Sequence, residues 1–312
     1  MADDIITVES LIMKKELERK EWIATDVQEN EKAISYIGRI LDLSDINLHL
    51  LIKFHLAGIN NHFISKDMPI QNGDEVSVTI PDKRPEKFLG EDIALEILYE
   101  DDDLLVVNKP RGMAVSPSPG NWNGTLYNAL KFRFASDDDY FTMVHRIDKS
   151  TSGCLMVAKN RKTANALSSQ IASKECRRIY RALCEGIMEE SGNINAPIGR
   201  DPFNFRRMAV TDIESKKAIS YYQCLEHLSN ASEVLFELET GRTHQIRVHA
   251  AYIGHPVIGD DLYGNPCEYL DEQGALLHAE TITFTHPVSK ELITVYAKLP
   301  ECYLRIKKIL SE

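Results

Sequence analysis

The sequence lacks the features of several protein classes. No apolar run approaches the roughly 18 residues of a membrane-spanning helix, and residues 1–4 are acidic and unlike a signal peptide. The six cysteines are scattered without a Cys-x-x-Cys pair, so their spacing indicates neither a disulfide framework nor a zinc site. Basic residues are the minority, and the net charge of −11 on its face argues against a nucleic-acid partner. These absences predict a cytoplasmic protein that does not enter a membrane and holds no metal.

Length and composition indicate two domains. The 312 residues exceed the usual size of one domain, and contents of 43% apolar and 27% charged residues are typical of a soluble globular protein. Residues 81–90 are rich in proline and charge, as linkers are. We therefore predict a small domain at 1–80, a linker at 81–90 and a second domain at 91–312.

The small domain is predicted to combine two helices with short strands. Residues 33–41 carry a helical apolar stripe, and Ser44 is placed to cap a second helix. A turn at 71–74 then leads into the alternating strand 76–80. This order is similar to the S4-type RNA-binding domain. The second helix of that family is usually rich in Arg and Lys but holds only Lys53 here, so an inert or protein-contacting module is the alternative.

The second domain has the pattern of strands joined at hairpin spacing. Strand-helix-strand crossovers are few, so we predict an α+β domain with a largely antiparallel mixed sheet. The predicted strands are 104–107, 178–183, 216–225, 234–239, 281–285 and 292–298. The predicted helices are 125–134, 161–175, a helix through Ile253 capped by Thr243, and a C-terminal helix.

A polar segment at 145–153 lies between two apolar stretches, 141–144 and 154–158, which favour buried strands. Charged groups at a strand end need partners, because burying an unpaired charge is costly. One interpretation is structural: Asp148 accepts bonds from the backbone N–H groups of Ser150 and Thr151 and shapes a turn. The other is that the carboxylate serves chemistry, which only the rest of the chain can decide.

Positive charge is concentrated locally despite the acidic total. Residues 159–181 hold seven basic side chains and one acidic one, and a second cluster comprises Arg200, Arg206 and Arg207. Such a patch can contact phosphates, although a solvated basic face is the common alternative. Three histidines at 244, 249 and 255 have spacings that do not favour a metal site.

The ordered polar segments resemble one enzyme family. The segments at 108–112, 145–153, 178–181 and 241–247, with the later 276–279, match in order the motifs of the RluA-type family of RNA pseudouridine synthases. The most specific are His-Arg-Ile-Asp at 145–148 followed by Thr-Ser-Gly at 151–153, and Gly-Arg-Thr-His-Gln-Ile-Arg-Val-His at 241–249. The resemblance covers roughly residues 95–300, about the size of one domain. Ile147 replaces the usual Leu and Arg178 the usual Lys; neither change removes a functional group.

The resemblance implies an isomerase that converts uridine to pseudouridine in RNA without a cofactor or metal. Asp148 would be the nucleophile, attacking C6 of the base or C1′ of the sugar, and both routes stay open. Arg247 would pair with it, because a buried Asp otherwise takes up a proton. Tyr180 would stack on the base and relay the C5 proton.

Further residues are predicted to contact the substrate. Arg146 would hold the flipped nucleotide or fill its gap. Leu277 would form an apolar wall under the base, and His145 would satisfy hydrogen bonds inside the site. Phosphate contacts are predicted for Lys109, Arg111 and Arg242.

The partner implied is ribosomal or transfer RNA, bound by a monomer. Two alternatives to a synthase remain at this stage. One is a non-catalytic RNA-binding or ribosome-assembly factor of the same fold. The other is a glycosidase-like enzyme on free nucleosides, for which the basic run at 159–181 would have no purpose.

Overall fold

A computed structural model describes residues 19–41, 43, 48–49, 51–52, 56–79, 87–118, 121–135, 140–201, 204 and 207–312. Contacts divide the chain into two units. The smaller consists of Met1–Phe88, Ser116–Asn123 and Asp201–Phe205, and the larger of Leu89–Val115, Gly124–Arg200 and Arg206–Glu312. The domain boundaries expected from the sequence stay a prediction, and linker residues 81–86 lie outside the described part.

The smaller unit is a four-stranded antiparallel sheet with a helix. Its strands are β1 (Arg19–Ile23), β2 (Ala57–Ile59), β3 (His62–Phe63) and β4 (Glu75–Thr79), in the order β1-β4-β2-β3, and its helix is α1 (Ala33–Leu41). The hydroxyl of Tyr36 accepts hydrogen bonds from Trp22 Nε1 at 3.2 Å and from the Thr25 N–H at 3.1 Å, which tie α1 to the end of β1. Helix α1 has the predicted bounds, whereas β1 was not predicted. Ser44 lies outside the described residues, and the S4-type resemblance stays a prediction.

The larger unit is built on a ten-stranded sheet. Its strands are β5 (Glu96–Glu100), β6 (Leu104–Lys109), β7 (Thr142–Met143), β8 (Ser152–Ala158), β9 (Arg177–Glu185), β10 (Ser191–Asn195), β13 (Ile219–His227), β14 (Ala231–Leu238), β15 (Leu277–Thr285) and β16 (Leu292–Tyr296), and a separate hairpin contains β11 (Ile198–Arg200) and β12 (Met208–Val210). The helices are α2 (Leu126–Arg133), α3 (Arg161–Ser173), α4 (Gln245–Tyr252) and α5 (Glu301–Ser311). The sheet order is β10-β13-β14-β9-β15-β8-β6-β5, with β16 on β15 and β7 on β8. The predicted α+β fold with a largely antiparallel sheet is confirmed.

Strands β8 and β15 pair in parallel, with Ser152 opposite His278 and Gly153 opposite Ala279. All other pairings of described strands in this sheet are antiparallel. Gly153 has a φ of +107°, and a Cβ there would overlap the carbonyl of Ala279. Only glycine therefore allows β15 to run this close to the start of β8. This contact fixes the strand that follows the polar segment 145–153.

Helix α4 begins differently from the prediction. Thr243 does not cap it; the residue before the helix is His244, at φ 56°, with no side-chain cap. The side chain of Gln245 instead folds back, and its Oε1 accepts from the Arg242 N–H at 3.0 Å and from the Thr240 hydroxyl at 2.8 Å. The cap prediction was wrong because a residue inside the helix satisfies the preceding turn.

None of the described helices is both long and apolar enough to cross a bilayer.

Candidate active site

Asp148 lies in the loop between β7 and β8. The Thr151 N–H donates to the backbone carbonyl of Asp148 at 3.1 Å and closes the turn. The carboxylate takes no part in this turn, so the interpretation of Asp148 as a turn-shaping residue is wrong. Its side chain is 17% exposed, and its neighbour Ile147 is buried in the core. The fold thus anchors the backbone of the loop and leaves the carboxylate oxygens for other partners.

The main partner of Asp148 is Arg247, on the inner face of α4. Its Nη1 donates to Asp148 Oδ2 at 3.2 Å, and its side chain is only 5% exposed. A guanidinium keeps its charge when buried, so it supplies a fixed cation beside the carboxylate. The sequence expectation that these two residues pair agrees with this distance, across 99 positions of the chain.

A second carboxylate holds Arg247 in place. Asp260, fully buried, accepts from Arg247 Nε and Nη2, each at 2.6 Å. The backbone N–H groups of Leu262 and Tyr263 donate to the same carboxylate at 3.0 and 3.2 Å. The guanidinium carbon also lies 5.2 Å from the centre of the Tyr263 ring. Two parallel bonds fix the plane of the guanidinium, which determines where Nη1 points.

Asp260 and Tyr263 had no role in the sequence interpretation, although both belong to a stretch matched to the family. The signal that could have identified Asp260 was its position shortly after the end of the helix that carries Arg247. His244 was likewise considered only as a metal ligand. Its Nε2 lies 3.9 Å from Asp148 Oδ1, on the opposite side from Arg247.

The surroundings keep Asp148 ionised. Burial raises the pKa of its carboxyl, but His244, Arg247 and Arg146 lower it by more, so the pKa is below its usual 3.8. A carboxylate that is charged near neutrality and has one oxygen free of strong bonds can act as a nucleophile.

Two of the predicted substrate contacts, Tyr180 and Leu277, are buried in one cluster. Tyr180 on β9 is 5% exposed and Leu277 on β15 is 6% exposed, and both belong to the same buried cluster as Ile147. Burial raises the pKa of the Tyr180 phenol above 10.0; Arg178 opposes this and Asp148 adds to it. The phenol is therefore protonated at neutral pH. The ring supplies an apolar surface for a base.

Arg146 is exposed and has no hydrogen-bond or ion-pair partner among the described residues. Its guanidinium therefore lies two residues before Asp148 without a partner among the described residues. Arg242 uses only Nε, which donates to the Lys217 carbonyl at 3.0 Å, and its terminal nitrogens make no such bond to described residues. Both side chains fit a contact with RNA.

Lys109 does not fit its predicted phosphate contact. Its side chain is fully buried, and Nζ donates to the carbonyls of Pro110, Met113 and Lys149 at 2.8, 2.7 and 3.2 Å. Burial lowers the pKa of Lys109 to about 7, while Asp148 opposes the shift. An ammonium has three protons, and all three are donated to backbone. Lys109 therefore joins the end of β6 to the loop that carries Asp148.

Arg111 is also occupied by backbone. Its Nη1 donates to the Glu272 carbonyl at 2.8 Å and its Nη2 to the Gly274 carbonyl at 2.6 Å. It fastens the loop before β15 to the loop after β6. Its predicted role as a phosphate contact is therefore not supported.

His145 has a structural contact rather than an exposed face. Its Nε2 accepts the Met156 N–H at 3.1 Å, which joins the loop to β8. Burial, followed by the positive charge of Arg178, lowers the pKa of His145 to about 3. The ring is therefore neutral, and it satisfies a hydrogen bond inside the site.

The basic run at 159–181 is largely neutralised. The ion pairs are Lys159 with Glu100 at 2.7 Å, Lys174 with Glu239 at 2.5 Å, Arg177 with Glu237 at 2.7 Å, and Arg181 with Glu280 at 2.7 Å. Arg178 is only 8% exposed. This run is therefore not the free basic face that the sequence indicated. In the second cluster, Arg207 stacks over Tyr263 at 5.1 Å, and Arg206 lies outside the described residues.

Within the described ranges, one group has the spacing of metal ligands: Asp101, Asp103 and His286. His286 Nδ1 accepts the N–H groups of Val288 and Ser289 at 3.2 and 3.0 Å. The other ring nitrogen, Nε2, lies 2.9 Å from Asp101 Oδ2. The backbone donors thus occupy one ring nitrogen and leave the other facing the carboxylate.

Comparisons with known proteins agree on one family. A model of the RNA pseudouridylate synthase family matches residues 103–252. The uncharacterized RNA pseudouridine synthase YlyB of Bacillus subtilis is 40% identical over 286 residues, which are 89% of this chain and 93% of that protein. The ribosomal large subunit pseudouridine synthase D of Neisseria meningitidis serogroup A is 39% identical over 282 residues, 86% of this chain and 75% of that one. The structure of human RNA pseudouridylate synthase domain containing 1 has a TM-score of 0.57 and 31% identity, covering 68% of this chain and 89% of that one.

Proposed function

The chain belongs to the RNA pseudouridylate synthase family and is an isomerase that acts on RNA; from this premise we propose that Asp148 is its nucleophile and ribosomal RNA its substrate. The observation that carries the proposal is the carboxylate of Asp148 beside a buried guanidinium that is itself held by Asp260. Two buried charged side chains, Arg247 and Asp260, hold one carboxylate in position. A non-catalytic RNA-binding factor does not need such an arrangement.

The proposed reaction starts with the Asp148 oxygen that Arg247 leaves open, Oδ1. Attack at C1′ would form an ester with the sugar and release the uracil anion. Attack at C6 would give an adduct with the base before the N1–C1′ bond breaks. Either route breaks the N1–C1′ bond and forms a C5–C1′ bond, and the proton lost from C5 is balanced by one gained at N1, so no oxidant or reductant is consumed. The chemistry therefore needs only a nucleophile, a proton path and a closed pocket.

Tyr180 and Leu277 are proposed to enclose the uracil ring. Tyr180 would stack on the uracil ring. Once the uracil is bound, the hydroxyl of Tyr180 would pass on the proton released from C5. An enzyme that acts on a base in a helix must flip the nucleotide out, which costs about a few kcal/mol. Arg146 is proposed to fill the gap that the flipped nucleotide leaves. Arg242 is the proposed phosphate contact.

Ribosomal RNA is proposed because the name of the Neisseria relative specifies the ribosomal large subunit. Transfer RNA is the second candidate substrate. We further propose a monomer that works in the cytoplasm without a cofactor or a metal. The free cysteines are consistent with a reducing compartment.

The test uses RNA that carries tritium at uridine C5. Wild-type protein should release label to water from large-subunit ribosomal RNA, and Asp148→Asn should release none while still binding. Asp212→Asn, which changes an exposed carboxylate elsewhere, is the matched control and should retain the activity.

Three outcomes contradict parts of the proposal. Release by Asp148→Asn at the wild-type rate removes Asp148 as the nucleophile. Release from transfer RNA alone rejects the ribosomal substrate. Release from free uridine would favour an enzyme that acts on nucleosides.

A further inference from the structure

The hydroxyl of Tyr263 lies between a backbone N–H and a histidine. Met208 N–H, on β12, donates to it at 2.7 Å, and His244 Nδ1 lies 2.8 Å away. The amide can only donate, so the hydroxyl accepts there, and its own proton is available for Nδ1, the other group within hydrogen-bonding distance. A neutral imidazole has a single N–H, which must then be on Nε2. The hydroxyl of Tyr263 thus selects one tautomer of His244.

The selected proton points at the nucleophile. His244 Nε2 lies 3.9 Å from Asp148 Oδ1, whereas Arg247 Nη1 donates to the other oxygen, Oδ2, at 3.2 Å. The side chain of His244 is 19% exposed, and its ring meets that of Tyr263 nearly edge-on, at 77°. The two carboxylate oxygens therefore face different groups.

Burial favours the neutral form of His244. Burial lowers its pKa below 6.5; Asp148 and Asp260 oppose this, and Arg247 and Arg146 support it. His244 is therefore an N–H donor near neutrality, rather than a second fixed cation.

We propose that the Tyr263 hydroxyl is a positioning group: it fixes His244 as the tautomer with its proton on Nε2, and so presents an N–H to the Asp148 oxygen that Arg247 leaves open. The inference rests on the proposed role of Asp148 as the nucleophile. At 3.9 Å the N–H is outside hydrogen-bonding distance in the free enzyme, so Oδ1 keeps its lone pairs for attack. When Asp148 leaves the substrate again, negative charge returns to Oδ1, and an N–H there stabilises that transition state relative to the covalent intermediate that precedes it.

The first test is Tyr263→Phe, which keeps the ring between Arg247 and Arg207 and removes only the hydroxyl. We expect kcat on RNA to fall about tenfold with KM unchanged, since one hydrogen bond of about 1.4 kcal/mol is lost in the transition state. Tyr221→Phe is the control, because its exposed hydroxyl contacts Glu239 away from the site. Nitrogen-15 NMR of labelled histidine should show His244 with its proton on Nε2 in the wild type and a mixture of tautomers in Tyr263→Phe.

A double-mutant cycle with His244→Gln separates this role from packing. The glutamine amide places an N–H near the Nε2 position without help from Tyr263. We expect His244→Gln to retain part of the activity and Tyr263→Phe to cause no further loss in that background. Additive losses would overturn the proposal, because Tyr263 would then act through another residue.

The NMR result separates failure of this inference from failure of the proposed function. A proton on Nδ1 of His244 in the wild type overturns the tautomer argument even if Asp148→Asn is inactive. Tritium release by Asp148→Asn refutes the nucleophile even if the tautomer is as expected, and with it the catalytic meaning of the N–H.

Discussion

Replacing Asp260 by Asn should damage both the stability and the activity of this synthase. The fully buried carboxylate accepts two 2.6 Å bonds from Arg247 and two more from backbone N–H groups. An asparagine has the same shape, but its amide nitrogen would face Arg247 Nε in one orientation, and Arg247 Nη2 with the two backbone donors in the other, and donors repel. Arg247 would keep one bond to this side chain and its 3.2 Å bond to Asp148.

The size of the effect follows from the burial of the pair. Removing one partner of a buried ion pair costs about 3–5 kcal/mol, because the other charge stays in the interior. For a unit of this size, 1 kcal/mol corresponds to roughly 2–4 °C in Tm, so the midpoint should fall by roughly 6–20 °C. A displacement of Nη1 by about 1 Å can cost about 100-fold in kcat, because catalysis depends on the position of the charge.

The assay combines thermal unfolding with tritium release at a temperature where the variant is folded. Asp261→Asn is the control: its carboxylate is 42% exposed and lies 3.9 Å from Arg247. It should change stability by less than about 0.5 kcal/mol. If Asp260→Asn matched this control in both Tm and kcat, the role assigned to the Asp260 carboxylate would be refuted.

Two other predictions concern the residues that flank Asp148. Gly153→Ala should destabilise the protein by more than about 3 kcal/mol, because a Cβ there overlaps Ala279. Gly254→Ala is the control: its φ is also positive but the space is open, so it should cost only about 1–2 kcal/mol of backbone strain. Equal urea midpoints for the two variants would contradict this. Since burial lowers the pKa of His145 to about 3, the unfolded chain binds a proton below pH 6.5 that the folded chain does not. Stability present above pH 6.5 should therefore be lost as pH falls, by about 1.4 kcal/mol per pH unit from this residue. In His145→Gln, the stability measured by urea unfolding should depend less on pH between pH 6.5 and 5. Parallel curves for the wild type and the variant would exclude His145 as the source.

The sequence predicted those parts of the molecule that depend on local pattern or on long ordered motifs. Helix α1, the antiparallel sheet and the polar segment with Asp148 follow from periodicity and from charge at a strand end. Arg247 was paired with Asp148 through the resemblance to a family. Asp260 was not assigned a role, because an Asp in a loop looks like any turn residue until its tertiary partner is known.

The wrong predictions share one physical cause. Lys109 and Arg111 were expected to bind phosphate because a cation in a loop usually faces solvent. Both instead donate to carbonyls of their own chain, in one case across 163 positions. A sequence does not reveal which backbone oxygens lie within reach of a long side chain. The free positive charge of the run at 159–181 was overestimated for the same reason. The acidic residues that neutralise it come from distant parts of the chain.

The parallel contact between β8 and β15 also determines when the site can exist during synthesis. Ser152 Oγ and His278 Nδ1 are 2.8 Å apart in space and separated by 126 positions in the chain. At about 5–20 residues per second, a ribosome needs roughly 6–25 seconds to make that interval. For that time a nascent chain contains Asp148 without the strand that pairs with the start of β8. We therefore expect activity to begin only after β15 (Leu277–Thr285) has emerged.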